Sequence, residues 1–344
     1  MKLQIPLYKV AWTKEDVMAV TQIIRRGMYW TGGKENIQLE EAVSRYLDRR
    51  HGLAFNSGTS ALTALLLAYD ITGSWDEVIV PAFTYPATVD AVRFAGAAPV
   101  FADIEEETYG LDIDDVERRI TDKTKAVIAV HIYGLPCNMV ELRDLVDRHG
   151  LLLIEDAAEA LGAESLGVKC GSYGDGAILS FAGNKIVTTG EGGMTLTDSL
   201  DIKKRLVEIR KERNWCLSTI QAALGLTQFN KLDKFLVKRR QNAYYLSKKM
   251  YPLHSIGKIR LPHLPEGSTH SYQFYTIRVE SGRDALKGYL EEKGIDTKVY
   301  FPAMHPLPIA EKVASQVLTL PMYSGLKTEE MDYIAEAVRE FVEV

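Results

Sequence analysis

The stretch Leu179-Ser180-Phe181-Ala182-Gly183-Asn184-Lys185-Ile186-Val187-Thr188-Thr189-Gly190-Glu191-Gly192-Gly193 sets one amine after an apolar run and between glycines. Glycines let backbone fold closely about a ligand, so Lys185 is a candidate for bonding to a carbonyl, although an ordinary surface loop would also hold it. Three other segments bring polar groups to the ends of apolar runs. Asn56-Ser57-Gly58-Thr59-Ser60-Ala61-Leu62 reads as a strand end followed by small residues that open a helix, and the free N–H groups there suit a phosphate. A plain serine N-cap is the alternative. Val80-Pro81-Ala82-Phe83-Thr84-Tyr85-Pro86-Ala87-Thr88 carries Tyr85 at a strand exit, where it either stacks on a flat ring or packs in the core. Leu151-Leu152-Leu153-Ile154-Glu155-Asp156-Ala157-Ala158-Glu159 delivers Asp156 to a strand's carboxyl edge ahead of an Ala-rich helix. That carboxylate suits a cationic ring nitrogen, while Asp156 with Glu159 also reads as a helix capping box.

Together and in order, the four segments meet the needs of a pyridoxal-5'-phosphate (PLP) site. Such a site requires amides for an anion, an aromatic to stack on a pyridine, a carboxylate for its nitrogen and a Schiff-base lysine.

These residues act as one site only if strands bring them to a common edge. From about residue 53 to 200, short apolar runs alternate with helix-period segments, the pattern of a parallel α/β sheet. The runs are 53–55, 78–80, 99–101, 126–130, 151–154 and 177–179, apolar throughout as strands buried on both faces should be. Helices are expected over 59–69, 87–95 and 139–149, the last stopped by Gly150. Ligands of such sheets gather at the carboxyl ends of the strands. After about residue 200 a long amphipathic stretch, roughly 218–250, leads into the alternating segment 272–279. The expected fold class is therefore α/β: a large domain over 1–235, with a mostly parallel mixed sheet between helices, and a smaller α+β domain over 236–344.

Composition narrows the function classes. Lys plus Arg number 41 and Asp plus Glu 46, a net charge of −5 that offers no general attraction to nucleic acid or an anionic membrane. Cys137, Cys170 and Cys216 are far apart and odd in number, which argues against a disulfide framework or a metal site. The first residues carry no apolar signal core, and no run of eighteen uncharged apolar residues occurs, so a cytoplasmic location is expected.

At these motifs the chain resembles the DegT/StrS family of PLP-dependent sugar aminotransferases, which have the aspartate aminotransferase type of fold. The likeness runs through nearly the whole sequence. Beyond the four segments it includes Phe101-Ala102-Asp103-Ile104, His131-Ile132-Tyr133-Gly134, Gln221-Ala222-Ala223-Leu224-Gly225, His270-Ser271-Tyr272, Pro302-Ala303-Met304-His305 and Leu320-Pro321. Gly183-Asn184-Lys185 with Glu159 is most similar to the GDP-perosamine synthase branch.

The resemblance implies that Lys185 holds the cofactor and carries the Cα proton, Asp156 meets the pyridine nitrogen, Tyr85 stacks on the ring and Glu159 lies beside it. It further implies that Ser57, Gly58, Thr59, Ser60 and Ser180 hold the phosphate, that Asn214 reaches the phosphate of a neighbouring subunit in a homodimer, and that Tyr29, Tyr300 and His305 contact substrate. Amino donor and acceptor would be L-glutamate and a keto nucleotide-sugar. Cys216 stands where the family has Arg, and the segments 210–214 and 305–320 are short; these belong to the region where the family binds its sugar nucleotide. A cyclitol ketone is one alternative acceptor, and a non-catalytic PLP-binding regulator is an alternative of another class. Dehydratases of the family carry His at the lysine position, so Lys185 argues against that activity.

Overall fold

The computed structural model describes residues 4–342. Its central sheet has seven strands: β1 (His51–Phe55), β2 (Glu77–Pro81), β3 (Ala98–Ala102), β4 (Thr124–Val130), β5 (Leu152–Asp156), β6 (Gly176–Ser180) and β7 (Gly193–Thr197). They lie in the order β1-β7-β6-β5-β4-β2-β3, and only β7 runs against the others. The central strands are apolar on both faces and helices cover both sides, which is why they read as unbroken apolar runs. The helix Gly58–Ala68 packs against β6, β7 and the helices Pro86–Ala95 and Leu200–Glu212. Being wrapped in this way, it is apolar nearly all round.

Six strands and three crossover helices fall where the sequence pattern puts them. Strand β7 is an addition. Its alternation Gly-Met-Thr-Leu-Thr resembles a half-exposed strand, yet Thr195 and Thr197 are fully buried between β1 and β6. The Ala-rich helix expected after Asp156 does not form. Residues 157–163 make successive tight turns instead, with the Ala160 N–H donating to the Ala157 carbonyl and the Ala163 N–H to the Ala160 carbonyl. The Glu159 carboxylate is taken by the Tyr133 N–H and Lys185 rather than turned back as a cap, so the capping-box reading falls. The amphipathic stretch is two helices, Thr219–Phe229 and Leu232–Ser255.

A second core surrounds the antiparallel strands β8 (Ile259–Arg260), β9 (Tyr275–Val279) and β10 (Val317–Leu320), packed by the helices Leu232–Ser255, Arg283–Glu292 and Thr328–Val342. Ile5 belongs to this core, fixed by Ile5 N–H to the Gly294 carbonyl at 2.9 Å and Asp296 N–H to the Ile5 carbonyl at 3.0 Å. The start of the described chain therefore packs with its C-terminal part. Asp103, just past β3, accepts the N–H groups of Ile309 and Ala310 at 3.0 and 2.9 Å, fixing the start of the helix Pro308–Gln316 against the edge of the central sheet. Among the described residues no helix is long and apolar enough to cross a membrane.

Candidate active site

A cavity of about 310 Å³ opens at the carboxyl ends of β5 and β6 and is lined by Ser57, Gly58, Thr59, Tyr85, Asp156, Glu159, Ser180, Lys185 and Tyr300, among others. At one end the helix Gly58–Ala68 points its N-terminus inward. Ser57 caps it, accepting the Ser60 N–H at 3.0 Å, while the Ser60 hydroxyl turns to Asn56 Oδ1 at 2.6 Å. Ser60 is thus spent on the cap and does not line the cavity. The first N–H groups of a helix have no intrahelical acceptor, so those of Gly58 and Thr59 form an anion cradle. Two glycines make the cradle fit. A Cβ on Gly58 would come within 3.3 Å of Ser180 Cβ, and one on Gly193 within 2.3 Å of the Ser57 carbonyl oxygen.

Across the cavity, β5 ends on Asp156. Thr88 donates its hydroxyl to Asp156 Oδ2 at 2.8 Å, the Ala158 N–H reaches Oδ1 at 3.2 Å, and Thr84 backs Thr88 at 3.1 Å. Burial raises the Asp156 pKa above the usual carboxylate range, and the Thr88 bond pulls the other way. Thr88 was visible as a residue one helical turn beyond Tyr85, but only β5 beside β4 and β2 brings it to a carboxylate. Glu155, facing the other side of the sheet, is fully buried and accepts the N–H groups of Gly171, Tyr173 and Gly174, each at 2.7 Å. His131 adds a fourth bond at 3.0 Å. That anchorage fixes the strand end that carries Asp156.

Lys185 extends its amine to Glu159 Oε1 at 3.1 Å, and Glu159 Oε2 accepts the Tyr133 N–H at 2.8 Å. Tyr133 presents that N–H from a left-handed conformation, φ 60°. Burial raises the Glu159 pKa, opposed chiefly by the Lys185 charge. The lysine loop is closed on itself by Phe181 N–H to the Gly192 carbonyl and Thr189 N–H to the Phe181 carbonyl, at 2.8 and 2.9 Å. It is also held from the second core. Gln273 accepts the Ile186 N–H at 3.0 Å and donates to the Asn184 carbonyl at 2.7 Å. No local signal marked Gln273, because its partners lie some ninety residues earlier. Gln273→Leu should leave both backbone groups unpaired and lower stability by about 2–4 kcal/mol, measurable by urea unfolding, since each buried unsatisfied group costs about 1–3 kcal/mol.

The remaining expected residues lie differently. Tyr85 lines the cavity but is 56% exposed, its ring 6.3 Å from that of Phe301. Tyr300 stacks on Phe274 at 4.0 Å, and burial pushes its phenol up to about 12. Lys298, which the sequence reading passed over, also lines the cavity and sits 4.6 Å from the Tyr300 ring. Asn214, Tyr29 and His305 are exposed and do not line this chain's cavity. Asn214 has φ 54°, and the next residue's carbonyl accepts the Asn56 N–H at 2.8 Å, so it stands just behind the cradle. His305 lies flat on Phe101 at 5.1 Å.

An amine paired with a carboxylate, a second buried carboxylate and an amide cradle, all at the carboxyl edge of this sheet, define a site for carbonyl–amine chemistry. The chain belongs to the DegT/DnrJ/EryC1/StrS aminotransferase family, whose profile matches residues 11–339. It is 36% identical over 335 residues to a GDP-perosamine synthase of Caulobacter vibrioides, covering 89% of this chain and 90% of that protein. A protein of Geobacillus stearothermophilus described as a pleiotropic regulatory protein is 35% identical over 356 residues, covering 95% of each. A Streptococcus pneumoniae protein solved in its PLP form superposes with a TM-score of 0.92 at 26% identity, over 99% of both chains.

Proposed function

We propose that this chain is a PLP-dependent aminotransferase that moves an amino group from L-glutamate to a keto nucleotide-sugar, as a cytoplasmic homodimer. The observation that carries the reading is that Lys185, Asp156 and the Gly58 helix end face one cavity of about 310 Å³. The residues fit the cofactor: Gly58 and Gly193 leave an amide cradle that any Cβ would crowd, and Asp156 is a buried carboxylate set to meet a cation. When bound, PLP supplies an electron sink that makes the donor's Cα proton removable. Gly58, Thr59, Ser57 and Ser180 would bind its phosphate, Asp156 would hold the proton on its ring nitrogen, and Tyr85 would cover the ring. Lys185 would hold the cofactor through its Nζ and, when freed by the incoming donor amine, would accept the Cα proton as general base. Glu159 would hold the free Lys185 amine in the cavity before the cofactor is loaded. In the return half, Lys185 delivers a proton to the acceptor carbon by the reverse path.

The family, and the sugar nucleotide in the name of the Caulobacter relative, support the keto-sugar acceptor. Asn214, Tyr29 and Trp30 are exposed, and Tyr29 and Asn214 have positive φ, a strained surface that a second subunit would cover while lending Asn214 to the partner's phosphate. The test is to load the protein with PLP, reduce it with borohydride and map the adduct by mass spectrometry. Modification elsewhere than Lys185 overturns the reading. Adding L-glutamate to the loaded enzyme should abolish its yellow absorbance and release 2-oxoglutarate.

The Geobacillus relative gives a regulator weight as the second reading. Failure of glutamate and other amino donors to discharge the colour, with Lys185 still modified, would favour it. A panel of keto sugar nucleotides and cyclitol ketones then separates the acceptors. Gly193→Ala should displace the Ser57 carbonyl and raise the Kd for PLP by about tenfold or more, read by equilibrium dialysis, because the crowding falls on backbone that cannot yield cheaply.

A further inference from the structure

The lysine loop also lines a second and much smaller cavity of about 20 Å³. It is lined by Tyr8, Lys9, Asn184, Lys185, Arg239 and Ser324, with four apolar residues, and no carboxylate lines it. Arg239 is the unusual member. It is 5% exposed and has no acidic partner among the described residues. Its Nη1 donates to the carbonyls of Tyr272, Gln273 and Met322 at 2.7, 3.4 and 3.0 Å. The N–H groups on Nε and Nη2 have no protein acceptor among the described residues. Burial alone pushes its pKa down to about 10, the mark of a cation without a counter-charge. Lys9 likewise has no carboxylate partner, and the hydroxyls of Tyr8 and Ser324 have no bonded partner among the described residues. Lys185 spends its charge on Glu159, in the other cavity.

We propose that this cavity binds one monovalent anion of halide size, chloride in the simplest case, held by Arg239, Lys9 and the neighbouring hydroxyls. Burying a charge without compensation is costly, and the lining here includes a buried guanidinium, a lysine and the hydroxyl residues Tyr8 and Ser324 while no acid answers them. The volume sets the size of the ligand, since a space of about 10–15 Å³ on this measure holds one water-sized particle. The anion neutralises Arg239 and joins the segment 8–11 to the loop that carries Lys185. It thus fastens the loop, as Gln273 does. The site stands on these side chains alone and does not depend on the transamination reading.

The test is crystallographic and thermal. Crystals of the PLP-loaded enzyme grown in sodium bromide should show an anomalous bromine peak beside Arg239. The Tm should rise with chloride or bromide but not with gluconate at matched ionic strength, since only a ligand that enters the cavity stabilises the fold. Lys9→Met, an exposed change that leaves the core intact, should raise the half-saturating bromide concentration several-fold, and Arg239→Met, if it folds, should abolish the peak. An ordered water with no anomalous signal in the wild type overturns the proposal. So does a Tm equal in halide and gluconate, or a bromide response unchanged by Lys9→Met.

Discussion

Lys185→Ala lowers transamination by at least about ten-thousand-fold, because one side chain serves as both the covalent anchor and the proton carrier. Glu159, 3.1 Å away, cannot take over. It is a carboxylate held by the Tyr133 N–H and cannot form the imine. The variant should still bind PLP through the Gly58 cradle, with weaker affinity and without a borohydride-stable adduct. Single-turnover measurement of 2-oxoglutarate release from L-glutamate gives the rate. Retained turnover within tenfold of the wild type would remove Lys185 from the mechanism. Because the lysine amine bonds to Glu159 and otherwise lies 5.8 Å from the Phe274 ring centre, with no further side-chain hydrogen bond among the described residues, the fold should survive the change.

Asp156→Asn is expected to separate activity from stability. Turnover should fall by about a hundred- to a thousand-fold, the usual loss when one preorganised electrostatic partner of a buried reacting group is removed. The cofactor-free protein should become more stable at neutral pH. The sign follows from the raised pKa. A carboxyl whose folded pKa lies above its unfolded value favours folding while protonated, below the unfolded value, and that contribution is lost as pH rises through the folded one. At neutral pH the ionised Asp156 therefore opposes folding, and the neutral amide does not. Melting curves of the two cofactor-free proteins between pH 4 and 8 should diverge as pH rises, with the variant higher. A lower Tm for the variant across that whole range would contradict this account. The amide can offer its oxygen to the Ala158 N–H and its NH2 to the Thr88 hydroxyl, which can accept and turn its own proton to Thr84, so the comparison is not confounded by an orphaned donor.

Much of this site was legible in the sequence because its parts lie next to elements with strong local patterns. Ser57 and Gly58 follow an apolar run and open a helix, Asp156 ends β5, and Lys185 follows β6, so ligand-facing residues could be read from strand ends alone. Residues that act across long separations were not legible. Thr88 reaches Asp156 only through the strand order, and Gln273 clamps the lysine loop from another core. The Ala-rich segment after Asp156 misled for a related reason: high helix propensity was overridden by a tertiary hydrogen bond from Tyr133 to Glu159. Strand β7 went unread because buried threonines mimic a solvent face. Tyr29, Asn214 and His305 face outward from a single chain, so their placement beside substrate rests on the family likeness and a second subunit.

The order of the central sheet has a consequence for synthesis on the ribosome. Strand β1 is complete by Phe55, but its sole neighbour in the sheet, β7, begins at Gly193. At about 5–20 residues per second the edge waits roughly 7–30 s for its mate, with unpaired backbone and the apolar helix beside it uncovered. Nascent chains of this protein should therefore lean on chaperones until residue 197 has cleared the exit tunnel, and a truncation anywhere before it should aggregate rather than form half a sheet.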